Sequence, residues 1–158
     1  VPAILERLGI EGFATIPRDV LWTATIAACA ELTAATGSAE YVEPLQHLLD
    51  PYGGQFVVVA GGAFVYGAVD RFLALLAATA GDDDRAAELF TSAATAERNV
   101  ASAALEARTH VWRLRTIGDH TGGTRRRLEE LCASHELPWA SHAAATLDQL
   151  PVIDATLG

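Results

Sequence analysis

The sequence predicts an all-α fold of stacked antiparallel helix pairs. Its 51% hydrophobic content comes largely from Ala and Leu, a mixture that favours closely packed helices over sheets. Glycine and proline turns divide the chain into helix-length segments, and apolar residues inside these segments recur with the helical period. At 158 residues the chain is long enough for one core, so residues 1–158 are interpreted as a single domain.

Six helices and one irregular segment follow from these signals. The predicted helices are residues 18–36, 39–49, 62–80, 83–97, 101–117 and 123–134. Within residues 62–80, Val65, Val69 and Phe72 form one apolar stripe. The run Phe56–Val59 is rich in β-branched residues, but no partner run is evident, so we expect an extended connector or an irregular helix start and no sheet of three or more strands.

The helices repeat as long helix, glycine turn and shorter helix. The three turns are at Gly37, Gly81 and Gly118. Their spacings of 44 and 37 residues approach the period of about 34 residues that is typical of tetratricopeptide repeats, with an insertion in the first unit. In the middle unit, Ala74 and Ala86 allow close approach of two helices, and Phe90 fills the space between them. The pattern therefore predicts a tetratricopeptide-like α-solenoid.

Charge and cysteine content exclude several classes of function. The net charge of −9 repels phosphate backbones, so direct nucleic-acid binding is not expected, and the basic run at residues 125–127 is interpreted as a solvated helix face. No apolar stretch suits a membrane span, and the N-terminus lacks a secretory pattern. Cys29 and Cys132 are interpreted as small buried residues of a reducing compartment, with a disulfide or metal role as the alternative. We therefore expect a cytoplasmic location.

No catalytic or cofactor motif stands out. The glycine pair at residues 61–62 has neither the GK[ST] of a phosphate-binding loop nor the order of a dinucleotide fold. The five histidines show no metal-binding spacing. We predict no cofactor, no metal and no enzymatic activity in this segment; the alternative is an enzyme whose residues meet only in three dimensions.

Four residues are predicted to line a binding groove. In stacked helix pairs the first helices face one concave surface, which here would carry Arg71, Arg108, Trp112 and Arg115. Arginine forks grip carboxylates and tryptophan buries a large area, so the groove suits an acidic or C-terminal peptide. Two alternatives stay open: Arg71 pairs with Asp70 or with a carboxylate of a neighbouring helix, and Trp112 belongs to the core.

Residues 12–113 also carry the motifs of a known family. These are Gly12-Phe13-Ala14, Pro17-Arg18-Asp19, Leu21-Trp22, Gly37-Ser38-Ala39-Glu40, Leu48-Leu49-Asp50-Pro51-Tyr52, Val57-Val58-Val59, Gly61-Gly62, Gly67-Ala68-Val69, Arg71-Phe72-Leu73, Leu75-Leu76-Ala77 and Ala107-Arg108-Thr109. The stretch resembles the tetratricopeptide-like region of large, mostly actinobacterial regulators, in which an AAA or STAND-type ATPase is flanked by a LuxR-type DNA-binding domain or a class III nucleotide cyclase. The pattern does not continue after Gly118.

The resemblance implies a sensing or interaction role. In such regulators the repeats are expected to bind a ligand or partner and to restrain the ATPase, while catalysis belongs to other domains. The chain starts at Val1 and contains no methionine, so we expect a fragment of a larger protein. Its expected partners are a protein or peptide and the adjacent ATPase or effector domains; a small-ligand sensor using the same groove is the alternative. A homodimer is expected through an end helix, around Leu5 and Leu8 or around Ala143 and Leu147.

Overall fold

The computed structural model describes residues 3–146, which are mostly helical as predicted. The helices are α1 (Ala3–Gly9), α2 (Trp22–Thr36), α3 (Val42–Leu49), α4 (Val69–Thr79), α5 (Asp83–Asn99), α6 (Ala103–Thr116), α7 (Gly123–Ser134) and α8 (Pro138–Thr146). Two strands, β1 (Phe56–Val59) and β2 (Phe64–Ala68), form a two-stranded sheet. Short 3-10 turns occupy Ile10–Phe13, Ala39–Tyr41, Asp50–Tyr52 and Ala60–Gly62.

The β-hairpin corrects two sequence predictions. β1 pairs antiparallel with β2, so the β-branched run is a strand and not a connector or helix start. The helix predicted over residues 62–80 begins only at Val69. Val65 satisfied the helical period by position, but in the structure it pairs with Val58 across the hairpin. Gly61 and Gly62 adopt positive φ angles between the strands, a conformation that glycine tolerates without steric cost.

Other helix boundaries follow local signals. α2 begins at Trp22 and not at residue 18, after the Asp19 side chain accepts a hydrogen bond from the Leu21 amide at 2.9 Å. α2 ends at Thr36, and Gly37 directly after it has a left-handed backbone. The Asp82 carboxylate caps α5 by accepting a hydrogen bond from the Arg85 amide at 3.1 Å. The predicted sixth helix, residues 123–134, matches α7.

α4 lies at the centre of the larger core. Every residue from Val69 to Ala77 is buried, and the helix contacts α2, α3, α5 and α6. Phe90 of α5 is only 1% exposed, which confirms its predicted packing position. Leu5 of α1 also lies in this core, so it is not available for the self-association predicted there. Leu147, which belongs to the other predicted dimer contact, lies outside the described residues.

A smaller core joins the last three helices. Its buried residues are Ala107, Val111, Leu128, Leu131 and Ala140. α8, which the sequence analysis did not predict, packs against both α6 and α7, so the helical packing continues beyond the predicted helix α7. Within each predicted pair the two helices are in contact: α2 with α3, α4 with α5, and α6 with α7. This packing brings α6 and α8 side by side and forms the candidate site between them.

Candidate functional site

Three of the four predicted binding residues line one cavity. Arg108, Trp112 and Arg115 follow one another at i, i+4 and i+7 on α6, and they face a cavity of about 490 Å³. The opposite wall is formed by Trp139 and Ala143 of α8. The other described lining residues are Ala104, Leu105 and Val111. The cavity therefore combines two indole rings, two guanidinium groups and small apolar side chains.

Trp139 is the residue that sequence reasoning missed. It lies in the first turn of α8 and remains 45% exposed, although it is a large apolar side chain. The available signal was Pro138, since proline is favoured at the first position of a helix. From a helix that starts there, Trp139 and Ala143 project on one face at i and i+4. Only the packing of α8 on α6 shows that this face meets Trp112.

Arg108 is held by partners inside the protein. Its Nη2 atom donates to both carboxylate oxygens of Glu31 at 3.0 Å. Its guanidinium carbon lies 5.0 Å from the centre of the Tyr66 ring, within the range of a cation–π contact. Glu31 also accepts a hydrogen bond from the Tyr66 hydroxyl. The positive charge of Arg108 is therefore compensated by α2, and its orientation is fixed.

Arg115 is in a different electrostatic situation. It is exposed, and its guanidinium carbon lies 5.1 Å from the centre of the Trp112 ring. Among the residues that the structure describes, no carboxylate lies within ion-pair distance of Arg115. Arg115 is thus the cation of the cavity that can still accept a charge partner.

Trp112 belongs to both the core and the cavity. Its side chain is half-buried and packs against the larger core, so the interpretation of Trp112 as a core residue is partly correct. The exposed part of the ring lines the cavity and stacks with Arg115. A change at Trp112 would therefore alter both folding and any binding.

Arg71 is not part of the cavity, and its predicted position toward a groove was wrong. Its side chain is 0% exposed and lies 3.6 Å from Glu31 and 3.5 Å from Glu97. Its Nη2 atom donates to the Tyr66 carbonyl oxygen at 2.8 Å. The alternative prediction, pairing with a carboxylate of a neighbouring helix, is confirmed. Burial lowers the pKa of Arg71, and the carboxylates of Glu97 and Glu31 oppose that shift.

Gly67 makes room for the Arg71 side chain. A β-carbon at this position would lie 2.5 Å from an Arg71 guanidinium nitrogen, and the φ angle of +152° also favours glycine. The hairpin therefore closes over a guanidinium that would otherwise have no space. The Gly67-Ala68-Val69 sequence places this close approach directly before α4.

Glu97 is the main counter-charge of Arg71. It is fully buried on α5 and accepts hydrogen bonds from the Thr109 hydroxyl at 2.6 Å and the Ala68 amide at 3.2 Å. Burial raises the pKa of Glu97, while the Thr109 hydrogen bond and Arg71 act in the opposite direction. The group joins the hairpin, α4, α5 and α6 in one polar network.

A second buried network lies between α5, α6 and α7. Glu106 is 2% exposed and accepts bonds from Arg98 at 2.6 and 2.9 Å and from Arg127 at 2.9 and 3.1 Å. Burial alone would raise the pKa of Glu106, but the hydrogen bonds from Arg127 and Arg98 outweigh it and lower the pKa to about 2. His110 lies 3.5 Å from Glu106, and burial lowers its pKa. These contacts hold α6 in place behind the cavity.

A second cavity of similar size lies along α3. It measures about 510 Å³, and its lining residues are Gly12, Glu43, Pro44, Gln46, His47, Leu48 and Asp50. Its charged side chains include Glu43 and Asp50, and its described lining contains no Phe, Tyr, Trp or Arg. It offers neither the large apolar contact area nor the cations found between α6 and α8, so the α6–α8 cavity is the stronger candidate for recognition.

Several other features bear on function within residues 3–146. No helix in that range has the combination of length and apolar character needed to cross a membrane. The same residues contain no cluster of three or more His, Cys, Asp or Glu side chains that could hold a metal ion. Cys29 and Cys132 are free thiols, and burial raises the pKa of Cys29 to about 11.

What the cavity binds has to be inferred from its own residues. Comparison with family models, with curated proteins and with solved structures gave no match to this chain. Among the described lining residues, none is a histidine, cysteine, serine, threonine or carboxylate. The lining therefore offers apolar contact area, aromatic faces and guanidinium N–H donors, which are groups suited to recognition.

Proposed function

We propose that this chain is a tetratricopeptide-like interaction module that binds an acidic peptide segment of a partner protein in the cavity between α6 and α8. The observation that carries the proposal is the convergence of Trp112, Trp139 and Arg115 on one solvent-facing cavity. Tryptophan and arginine dominate the binding energy of many protein interfaces because they combine large contact area with directional contacts. A ligand that covers the exposed part of Trp139 would gain apolar burial without a change in the core.

The order of helix contacts supports the repeat part of the proposal. The helices α2, α4 and α6 each pack on the helix that follows them, and they also contact one another in sequence. This arrangement is what stacked helix pairs require, since each pair buries its apolar face against the next. In the middle unit the order of lengths is the reverse of the predicted one, since α4 has 11 residues and α5 has 17. In the first unit, the β-hairpin and the turns before it form the insertion that lengthened the repeat period.

The parent protein is proposed to be a larger cytoplasmic regulator, on the basis of the motifs in residues 12–113. The adjacent ATPase or effector domain would then be a further partner, and catalysis would belong to those domains. A homodimer also stays a prediction, through α1 around Leu8 or through the last helix around Ala143 and Leu147. Reading the coding sequence on both sides of this chain would test the parentage directly, because an ATPase, cyclase or helix-turn-helix segment would have to be present.

Trp139→Ala gives the cleanest test of peptide binding. The probe is a panel of fluorescein-labelled octapeptides in which acidic residues alternate with Leu and Phe, measured by fluorescence anisotropy. Since Trp139 is 45% exposed, its removal should leave the melting temperature nearly unchanged. Binding should weaken by about 2 kcal/mol or more, roughly thirtyfold in dissociation constant.

Phe64→Ala is the matched control. Phe64 is also a large aromatic side chain, 55% exposed, but it lies on the hairpin and does not line the cavity. Its replacement should leave peptide affinity unchanged. Trp112→Ala is less informative because that ring also packs against the larger core. Equal effects of Trp139→Ala and Phe64→Ala on peptide affinity would contradict a specific site between α6 and α8.

A small-molecule sensor is the second candidate function. The cavity volume of about 490 Å³ lies in the range found for small-ligand sites. The probe for this alternative is an apolar aromatic carboxylate such as 4-phenylbutyrate, followed by quenching of tryptophan fluorescence. Tight binding of 4-phenylbutyrate together with absent peptide binding would favour the sensor over the peptide module.

A further inference from the structure

We infer that the cavity between α6 and α8 selects a peptide segment with a single carboxylate beside apolar side chains, with Arg115 as its charge partner and Glu31 as the group that disfavours a second carboxylate. This inference rests on the proposed peptide-binding function and specifies the ligand. It follows from a difference between the two arginines of the cavity: the charge of Arg108 is compensated by Glu31, and that of Arg115 has no carboxylate partner among the described residues.

Glu31 neutralises one of the two arginines in the cavity. Both oxygens of its carboxylate accept hydrogen bonds from Arg108 Nη2 at 3.0 Å. The side chain of Glu31 is only 13% exposed. The Arg71 and Glu97 side chains behind it are fully buried and compensate each other. The charge left for a ligand is therefore that of Arg115, which has no carboxylate partner among the described residues.

Arg108 cannot easily exchange its ion pair with Glu31 for an ion pair with a ligand. If the Arg108 guanidinium moved away from Glu31, it would lose its hydrogen bonds and its contact with the Tyr66 ring. The largely buried Glu31 carboxylate would then have fewer partners. A second ligand carboxylate that approached Arg108 would also come close to Glu31, and like charges at short range repel. The wall at Arg108 therefore tolerates a neutral group better than a negative one.

The rest of the lining suits an apolar body. Trp112 and Trp139 provide aromatic surface on the two facing helices, and Ala104, Leu105 and Ala143 provide small apolar contacts between them. A Leu or Phe side chain next to the ligand carboxylate can cover this surface while the carboxylate reaches Arg115. Strongly acidic segments without apolar residues would lack this contribution.

Three acetylated, amidated octapeptides test the inference. They share one Leu- and Phe-containing core and carry one Glu, one Gln in its place, or three Glu residues. On the native chain the one-Glu peptide should bind about fivefold tighter than the Gln peptide, the size of a partly exposed charge contact. The three-Glu peptide should bind no tighter than the one-Glu peptide, because Glu31 opposes the additional charges.

Arg115→Gln should remove the preference for Glu over Gln. The matched control is Arg126→Gln, which removes an exposed arginine of α7 that does not line the cavity and should keep the preference. Glu31→Gln should let the three-Glu peptide bind tighter than the one-Glu peptide. Because Glu31 also contacts Arg71, each variant is first checked for cooperative thermal unfolding, and Tyr66→Phe serves as a milder second variant that removes one hydrogen bond to Glu31.

The outcomes separate this inference from the proposed function. If Trp139→Ala weakens all three peptides while Arg115→Gln leaves the Glu preference intact, the peptide site stands and the assignment of Arg115 is overturned. Progressively tighter binding from one to three Glu residues on the native chain would overturn the role of Glu31. Failure of all three peptides to bind would overturn both the inference and the peptide-binding function.

Discussion

The buried Arg71 offers the sharpest test of how this fold is held together. Arg71→Met keeps most of the side-chain volume and removes the charge. The variant loses the ion pairs with Glu31 and Glu97 and the hydrogen bond to the Tyr66 carbonyl oxygen. Glu97, whose side chain is 0% exposed, then remains buried without its cationic partner.

The size of the effect follows from that burial. Removing one partner of a buried ion pair costs about 3 to 5 kcal/mol, because the other charge stays desolvated and uncompensated. For a chain of this length, each kcal/mol corresponds to a shift of roughly 2 to 4 °C in melting temperature. We therefore expect the melting temperature of Arg71→Met to fall by about 6 to 20 °C.

The assay is thermal and urea unfolding followed by circular dichroism at 222 nm. The double variant Arg71→Met with Glu97→Gln should recover part of the loss, because Gln carries no charge and can still accept hydrogen bonds from Thr109 and Ala68. The coupling between the two sites is obtained from a double-mutant cycle. A loss below about 1 kcal/mol for the single variant, or no recovery in the double variant, would refute the central role of this pair.

Three further predictions concern the same framework. Phe90→Ala should cost about 3 to 5 kcal/mol in urea unfolding, because the ring is 1% exposed; a loss below about 1 kcal/mol would contradict its core position. Gly67→Ala should cost about 1 to 3 kcal/mol, since its β-carbon would meet the Arg71 guanidinium at a strained φ angle; an unchanged melting temperature would disagree. His110 has a lowered pKa, so the unfolded chain binds its proton more readily and stability should fall as pH drops below 6.5; His110→Leu should lessen that fall, and an identical pH profile would exclude it.

Part of the candidate site could be predicted from the sequence because it depends on one helix. Arg108, Trp112 and Arg115 share a face of α6 by helical periodicity, and this placement needs no knowledge of the neighbouring helices. The same rule failed for Arg71, which also follows the period of its helix. Its side chain is buried because α2, α5 and the hairpin all supply partners to it, and the two carboxylates, Glu31 and Glu97, are distant in sequence.

The hairpin shows why local patterns can mislead. Val65 lies at a helical spacing from Val69 and Phe72, yet the segment before Val69 is extended. A β-strand requires a partner, and the pairing of Val58 with Val65 forms only when the Gly61-Gly62 turn reverses the chain. Sequence periodicity evaluates one segment at a time, so it could not detect a stabilisation that two segments share.

The sequence by itself determined the helical class, the turn positions and the shared face of Arg108, Trp112 and Arg115, because these depend on residues within a few positions of one another. Tertiary structure alone decided which arginine is buried, which is paired with a carboxylate, and which has no carboxylate partner among residues 3–146. It also decided that Trp139 of α8 faces Trp112 of α6. Desolvation and charge compensation depend on side chains that become neighbours only when the chain folds, so no local pattern could place Arg71 in the core or pair Arg108 with Glu31.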